Sequence, residues 1–326
     1  MHDLLVWMRA IHFAATISVA GALIFVVFIG EPALQAANKA EDIAIVVRSR
    51  LAWIVSTSLV IVVLSWAAWL ILQAQRMSDL PLASVLSEGT IWTVLSQTDF
   101  GRVWVARLVV AVLCAGALQA SVRRDHSRWA QMLATLLVAG LVGSLAWAGH
   151  AAAGSDSESD LTASIHLPAD VLHLIASAAW VGSLVPLAIL IGSAGRHIDG
   201  PSSLPIARVA IARYSTLGVL SVGTLLATGI INSWALVGSA HALIRTDYGR
   251  LLLIKIALFL AMLSIAVVNR QRLTPRLMQN EETISARDAL RQLQRNALIE
   301  AAVGIAILFI VALLGTLPPG VDQDAS

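Results

Sequence analysis

Eight long apolar stretches dominate this 326-residue sequence and leave few choices of fold. They lie near residues 4–29, 51–72, 103–120, 129–149, 168–192, 214–237, 251–268 and 297–317. A helix needs about 20 apolar residues to cross the hydrocarbon core of a bilayer, and barrel strands would alternate in polarity instead. Since only 13% of the residues are charged and the mean hydropathy is +0.80, the sequence predicts an all-α polytopic membrane protein with eight transmembrane helices.

The placement of the basic residues predicts the orientation of these helices. Of the 22 Lys and Arg residues, 15 fall in the four loops that would share one side of the membrane. By the positive-inside rule that side is cytoplasmic, so both termini are expected in the periplasm. The Arg-rich segment near 270–296 is expected to extend helices into the cytoplasm. Because the net charge of +2 is small and spread over loops, a nucleic-acid partner is not expected.

The sequence contains no recognisable motif for enzymatic catalysis. The single cysteine, Cys114, excludes an internal disulfide and any CxxC motif. A phosphate-binding loop, a Ser/His/Asp arrangement and an HExxH motif are all missing. We therefore expect a protein that is not an enzyme.

Two pairs of segments resemble each other within the chain. RAIHFAATISVAGAL at residues 9–23 aligns without gaps on DVLHLIASAAWVGSL at residues 170–184. TDFGRVWVAR at residues 98–107 aligns on TDYGRLLLIK at residues 246–255. Each match alone is weak, but the two occur in the same order and before equivalent helices of each half. They predict the duplication of a four-helix unit.

The duplication divides the chain into a first repeat at residues 1–150 and a second at residues 151–326. Because four helices bring the chain back to the side where it started, both units enter the membrane from the same side and are parallel. His12 and His173 occupy matching positions in the two units. We therefore expect both histidines at the same depth, about two turns below the periplasmic end.

Polar residues at the start of the fifth helix form a candidate metal site. His166, Asp170 and His173 are spaced at i, i+4 and i+7, which places them on one helix face. His150 ends the preceding apolar stretch, and the loop after it is acidic and lacks Lys and Arg. Imidazole binds copper, zinc and iron, and outward carboxylates attract cations. This pattern predicts an outward-facing metal site.

The first helix adds two candidate ligands, His12 and Met8, whose thioether would suit Cu(I). Ionisable groups within a membrane helix are rare and usually functional, which favours a functional role for the two deep histidines. For the residues at helix ends the alternative is structural. His150 and His166 could simply face water, and Asp170 could be a first-turn carboxylate after Pro168.

Two cations lie inside predicted helices and also have a structural interpretation. Arg107 and Lys255 occupy matching positions in the second pair of aligned segments. We expect them to extend toward the interface, or to pair with Asp99 and Asp247 just before them.

Several motifs in one order resemble the copper resistance D (CopD) family of bacterial inner-membrane proteins. They are HLPADVLHLIASAAWVGSL, ARYSTLGVLSVGTLLATGIINSW, YGRLLLIK and, in the first helix, RAIHFAATISVAGALIF. The CopD-like domain would cover about 206–315. The resemblance implies eight helices and copper uptake across the inner membrane, with His12, His150 and His173 matching histidines of the family.

Some members of that family work with a soluble periplasmic copper-binding domain, which this sequence lacks, so a separate periplasmic copper-binding protein is an expected partner beside membrane lipid. The leading hypothesis is copper transport through the outward histidine site, with the oxidation state of copper open. One alternative is a membrane electron carrier with haem b between His12 and His173. Another is a scaffold in copper homeostasis that does not transport the ion.

Overall fold

The computed structural model describes residues 2–37, 41–123, 128–148, 160–198, 200, 202–279 and 283–324. These residues contain helices and turns but no strand, and eight helices are long and apolar enough to cross a membrane. They are α1 (Asp3–Gln35), α2 (Glu41–Ser78), α3 (Asp99–Ala117), α4 (Arg128–Trp147), α5 (Ile165–Arg196), α6 (Ser203–Val237), α7 (Asp247–Gln279) and α8 (Ile284–Leu314). The prediction of an all-α membrane protein with eight such helices is confirmed.

Several of these helices depart from regular α geometry. α1 and α7 contain π-helical turns at Val26–Gly30 and Asn269–Leu273. The helix that includes α5 runs over Asp160–Trp180, breaks for three residues and resumes over Leu184–Arg196. Single π-helical turns within α-helices occur frequently at functional sites, and the one in α7 faces a buried carboxylate described below.

Some helices extend beyond the apolar stretches seen in the sequence. α6 begins at Ser203, and the helix that includes α8 runs over Thr283–Leu314. The added turns bury Ile206 and Leu290 in one apolar cluster with the last turns of α5. This packing keeps the Arg-rich segment helical, which confirms that it extends the neighbouring helices.

Short helices connect α2 to α3 (Leu82–Ser87 and Thr90–Gln97) and α6 to α7 (Ala240–Arg245), and Gly320–Asp324 follows α8. The repeated TD-G-R motif begins α3 and α7. Thr98 Oγ1 accepts a hydrogen bond from Gly101 N, and Thr246 Oγ1 accepts one from Gly249 N, both at 3.0 Å. These are N-caps. A Cβ on either glycine would overlap a backbone carbonyl of the preceding short helix, so the motif fixes a sharp entry into each helix.

α1 and α5 form the centre of the bundle. α1 packs against α2, α4, α5 and α8, and α5 packs against α1, α2, α4, α6 and α8. The two helices cross at Gly21 and Gly182, where a Cβ on either residue would overlap the backbone of the other helix. Ser183 Oγ donates to the carbonyl of Gly21 at 3.0 Å. Small residues allow such close approach between membrane helices.

The helix contacts of the two halves correspond. α1 packs on α2 and α4 as α5 packs on α6 and α8, and α3 packs on α4 as α7 packs on α8. These contacts favour the duplicated four-helix unit, which stays a prediction. Arg9 Nη1 donates to the carbonyl of Gly315 at 2.9 Å, so the start of α1 and the end of α8 meet. We call this end of the bundle the terminal face; its periplasmic orientation also stays a prediction.

Candidate functional site: two membrane-embedded histidines

His12 lies in α1, fully buried against α2 and α3. Arg107 Nη2 is 2.9 Å from its Nε2, and Ser65 Oγ is 3.1 Å from its Nδ1. Because a guanidinium can only donate, Nε2 accepts and Nδ1–H donates to Ser65. The Ser65 hydroxyl in turn donates to the carbonyl of Ile61 at 2.6 Å. Both imidazole nitrogens of His12 are therefore engaged in hydrogen bonds.

Aromatic rings surround this first histidine. The ring centroids of Trp66 and Trp69 lie 5.9 Å and 5.6 Å from that of His12. The Arg107 guanidinium lies 4.9 Å from the centroid of Trp66, a cation–π contact that helps a cation to stay in an apolar environment. Arg107 is only 3% exposed. The first site thus holds a permanent positive charge next to its imidazole.

His173 lies in α5 and faces α6. Its Nδ1 is 3.0 Å from Thr228 Oγ1, which donates to the carbonyl of Thr224 at 2.7 Å. Because the hydroxyl hydrogen of Thr228 already donates to Thr224, the hydroxyl oxygen must accept a hydrogen bond from Nδ1–H of His173. The proton of the neutral imidazole is then on Nδ1, and Nε2 keeps its lone pair. Within the described ranges, no hydrogen bond involves that Nε2. Lys255 of α7 interacts electrostatically with the ring.

The two histidine sites share their construction and differ at Nε2. In each site a hydroxyl group on the next helix accepts a hydrogen bond from Nδ1–H of the histidine. A second hydroxyl, on the residue four positions after the histidine, donates to the backbone carbonyl of the histidine. Those hydroxyls are Thr16, at 2.7 Å, and Ser177, at 2.8 Å. The aligned cations, Arg107 and Lys255, belong to the third helix of each half. Arg107 occupies Nε2 in the first site, whereas Nε2 is open in the second.

Asp170 lies one turn before His173 in α5 and is half-buried. It accepts a hydrogen bond from Asn232 Nδ2 of α6 at 3.2 Å and interacts electrostatically with Lys255. The helix starts at Asp160, and Pro168 lies inside it. The structural alternative that made Asp170 a first-turn carboxylate is therefore wrong. Its negative charge instead faces the second histidine site.

The other candidate ligands are distributed around these two sites. His166 lies two turns before His173 and is only 4% exposed, so it is not a water-facing helix end. Met8 is partly buried, one turn before His12. His150 lies outside the described residues.

The expected pairing of the intramembrane cations is wrong. Arg107 donates to His12, and Asp99 instead pairs with Arg102 at 2.6 Å. Asp247 pairs with Arg250 at 3.8 Å. The aspartates lie at exposed helix starts, whereas the cations lie two turns deeper, where only buried partners are within reach. The alignment of Arg107 with Lys255 was the signal in the sequence that these cations belong to the histidine sites.

In the part of the chain that the structure describes, no three His, Cys, Asp or Glu side chains form a metal-binding cluster. The hydrogen-bond partners of each imidazole lie on helices of its own half. Haem between His12 and His173 therefore has no support from the described residues. The hydroxyl partners Ser65 and Thr228 could not be predicted from the sequence. Apolar helices contain many Ser and Thr residues, and no sequence pattern shows which of them face a histidine.

The fold and these sites define a multi-pass membrane protein with a polar histidine site within each half. Two family models match the chain: "Copper resistance protein D-like, N-terminal domain" over residues 1–159 and "Copper resistance protein D" over residues 208–314. The chain belongs to the copper resistance protein D family, as the motifs in both halves of the sequence had indicated.

Three relatives support this assignment. The chain is 33% identical over 237 residues to "Inner membrane protein YebZ" of Escherichia coli (strain K12), which covers 70% of this chain and 72% of that protein. It is 27% identical to "Copper resistance protein D" of Pseudomonas syringae pv. tomato, with the same coverage. It is 26% identical to "Copper transport protein CutJ" of Bacillus subtilis (strain 168), over 72% of this chain and 40% of that protein. No solved structure matches the chain.

Proposed function

We propose that this protein binds copper ions at the terminal face and moves them inward across the bacterial inner membrane, with His173 as a ligand. The names of the relatives support copper handling in an inner membrane. The observation that carries the choice of residue is the open Nε2 of a partly buried membrane histidine whose Nδ1–H is held by Thr228. Metal-binding histidines typically have their second nitrogen fixed in this way.

The surroundings of His173 suit the capture of a cation. Copper in either oxidation state accepts imidazole nitrogen. Asp170 supplies negative charge one turn nearer the terminal face, and Asn232 holds it in place. His166 follows one turn further out on the same helix, where it can pass the ion inward. His150 and Met8 remain candidate ligands, and a separate periplasmic copper-binding protein is a candidate donor of the ion.

His12 has a different role in this proposal. Arg107 donates to its Nε2, and a copper ion at that nitrogen would lie beside the guanidinium charge in a medium of low dielectric constant. Copper can therefore bind His12 only after Arg107 moves away. The second half receives the ion, and the first half provides a site that opens when Arg107 is displaced.

Replacing Arg107 by leucine is expected to open the first site. Leucine fills similar space and has no donor atom, so the Nε2 lone pair of His12 becomes available and the adjacent positive charge is lost. The copper bound per purified protein should rise by about one ion, as measured by isothermal titration and elemental analysis. Arg102→Leu, which removes an exposed arginine of the same helix, should leave the stoichiometry unchanged. A variant at Arg107 with wild-type stoichiometry would contradict the gating role of Arg107.

Elemental analysis and a visible absorption spectrum of one purified sample test the proposed function itself. We expect copper to copurify or bind, and no haem absorption band. Proteoliposomes that contain the protein should also accumulate copper faster than empty liposomes. A haem spectrum would favour the electron-carrier alternative. Protein that binds neither copper nor haem would favour the scaffold, and either result would overturn the proposal.

A further inference from the structure

A cavity of about 320 Å³ lies in the second half, and its lining includes none of the residues of the two histidine sites. Its walls are mostly apolar side chains of α5, α6, α7 and α8, among them Leu184, Val222 and Ala266. Two lining residues of α6, Val219 and Leu226, are 51% and 45% exposed on the outside of the bundle. The cavity therefore opens sideways between α6 and α7, where the hydrocarbon of the bilayer would lie.

One wall of this cavity contains a buried carboxylate, Glu300 of α8, which is only 2% exposed. Asn269 Nδ2 donates to Glu300 Oε1 at 2.7 Å, and Asn296 Nδ2 donates to Asn269 Oδ1 at 2.7 Å. Asn269 is the first residue of the π-helical turn in α7. Among the described residues, no hydrogen bond is made to Glu300 Oε2. One carboxylate oxygen is thus held by a short amide chain, and the other is open to the cavity.

The combination of an apolar cavity and one open carboxylate oxygen specifies a class of ligand. A buried polar group without a partner is costly, and more so in a membrane. Water gains little from apolar walls, because a buried water needs two to four polar partners. A bare acyl chain would fill the space but would leave the carboxylate oxygen without a donor. A molecule with a hydrogen-bond-donating head and an apolar tail satisfies both requirements.

We propose that this cavity binds a membrane-soluble quinol, whose hydroxyl donates to Glu300 Oε2 and whose tail leaves between α6 and α7 into the bilayer. The site is separate from the copper site, and its occupancy does not depend on copper. A quinol enters from the hydrocarbon, which matches the sideways opening. Its ring and hydroxyl are small enough for a cavity of this size, and its long apolar tail needs an open side.

The probe for this site is 2-heptyl-4-hydroxyquinoline N-oxide, a fluorescent quinol analogue, titrated with the purified full chain in nanodiscs. We expect saturable quenching at about one probe per chain, reversed by decylubiquinol. Glu300→Gln keeps the shape, but Asn269 still needs an acceptor, so the amide NH2 takes the place of Oε2 and cannot accept a hydrogen bond. Binding should therefore weaken by about tenfold. Gly218→Leu should weaken it as much, because this glycine lines the cavity and nothing lies within 4 Å of its added Cβ.

The matched control is Gly140→Leu, which also adds a side chain where nothing lies within 4 Å, but in α4, away from the cavity. Its affinity for the probe should equal that of the wild type, and copper binding should persist in all three variants. Absence of saturable quenching, or wild-type affinity in the variants at Glu300 and Gly218, would overturn the proposal. Weakening by Gly218→Leu alone would also overturn it, because the cavity would then hold only an apolar chain.

Discussion

Replacing His173 by alanine is expected to abolish high-affinity copper binding by the purified protein. The substitution removes the one imidazole nitrogen in the two histidine sites that has no hydrogen-bond partner among the described residues. Loss of groups that only support metal ligands typically costs 10–100-fold in affinity, so loss of the ligand itself should cost more than about 100-fold. Competition titration with a copper chelator measures the change.

Two further variants separate ligation from folding. His173→Gln can still donate to Thr228 and fill the space, yet it lacks the imidazole lone pair, so it should lose copper as the alanine variant does. His241→Ala removes an exposed histidine from the short helix before α7 and should bind copper normally. Wild-type affinity in both His173 variants would remove His173 from the site.

Replacing Gly182 by valine is expected to destabilise the whole bundle. A Cβ at this position would overlap the carbonyl of Ile17 and lie 2.9 Å from Gly21 Cα, so the two central helices would have to separate. Overpacking typically costs about 1–3 kcal/mol and occasionally more, and a clash with backbone atoms belongs at the upper end because neither helix can rotate a side chain away. The central crossing holds both halves together, so the loss should be global.

Cys114 offers a direct readout of this loss. It is the single cysteine of the chain and is 0% exposed, so a thiol-reactive fluorescent maleimide labels it only on unfolding. The labelling temperature of Gly182→Val should fall clearly below that of the wild type. Gly195→Val, later in the same helix, adds its Cβ where nothing lies within 4 Å and should label like the wild type. Equal labelling temperatures for both variants would contradict the importance of the crossing.

Much of the fold could be predicted from the sequence because membrane helices are marked by long apolar stretches. Their number was predictable, whereas their ends were not. α6 and α8 continue into polar segments, where buried residues such as Ile206 and Leu290 pack below the apolar stretch. Hydropathy reflects the free energy of transferring side chains into a bilayer. It does not predict helices that pack on one another outside the bilayer. The glycine crossing was visible as the alignment of Gly21 with Gly182, but its geometry was not.

The site was predicted less completely. Internal similarity selected His12 and His173, and the structure places each in a polar site of its own half. The sequence could not tell that Arg107 engages His12, because hydrogen bonding across helices depends on helix rotation. The burial of Glu300 could not be predicted for the same reason. It lies at the start of the last apolar stretch, where a charge is ordinary, and only the packing of α8 against α7 buries it.

The two histidine sites differ in whether Nε2 of the histidine is occupied, and the proposed function depends mainly on this difference. A duplicated unit would give two equivalent histidine sites, yet Arg107 closes one and Lys255 leaves the other open. A guanidinium presents several donors in a planar fork, whereas an ammonium is a point charge on a flexible stem. Arg107 is thereby suited to hold an imidazole nitrogen, while Lys255 is balanced by Asp170. Under the proposed function, this asymmetry would give a copper ion one preferred place of entry.

Copper K-edge X-ray absorption of the copper-loaded protein tests the central claim most directly. The proposal predicts nitrogen ligation with the outer-shell scattering of imidazole in the wild type. In His173→Gln, which loses high-affinity binding, no copper with imidazole scattering should remain after dialysis. The signal should remain in a variant of the closed site, His12→Gln. An imidazole signal that persists in His173→Gln and disappears in His12→Gln, or a wild-type spectrum without imidazole scattering, would contradict the assignment of His173 as the copper ligand.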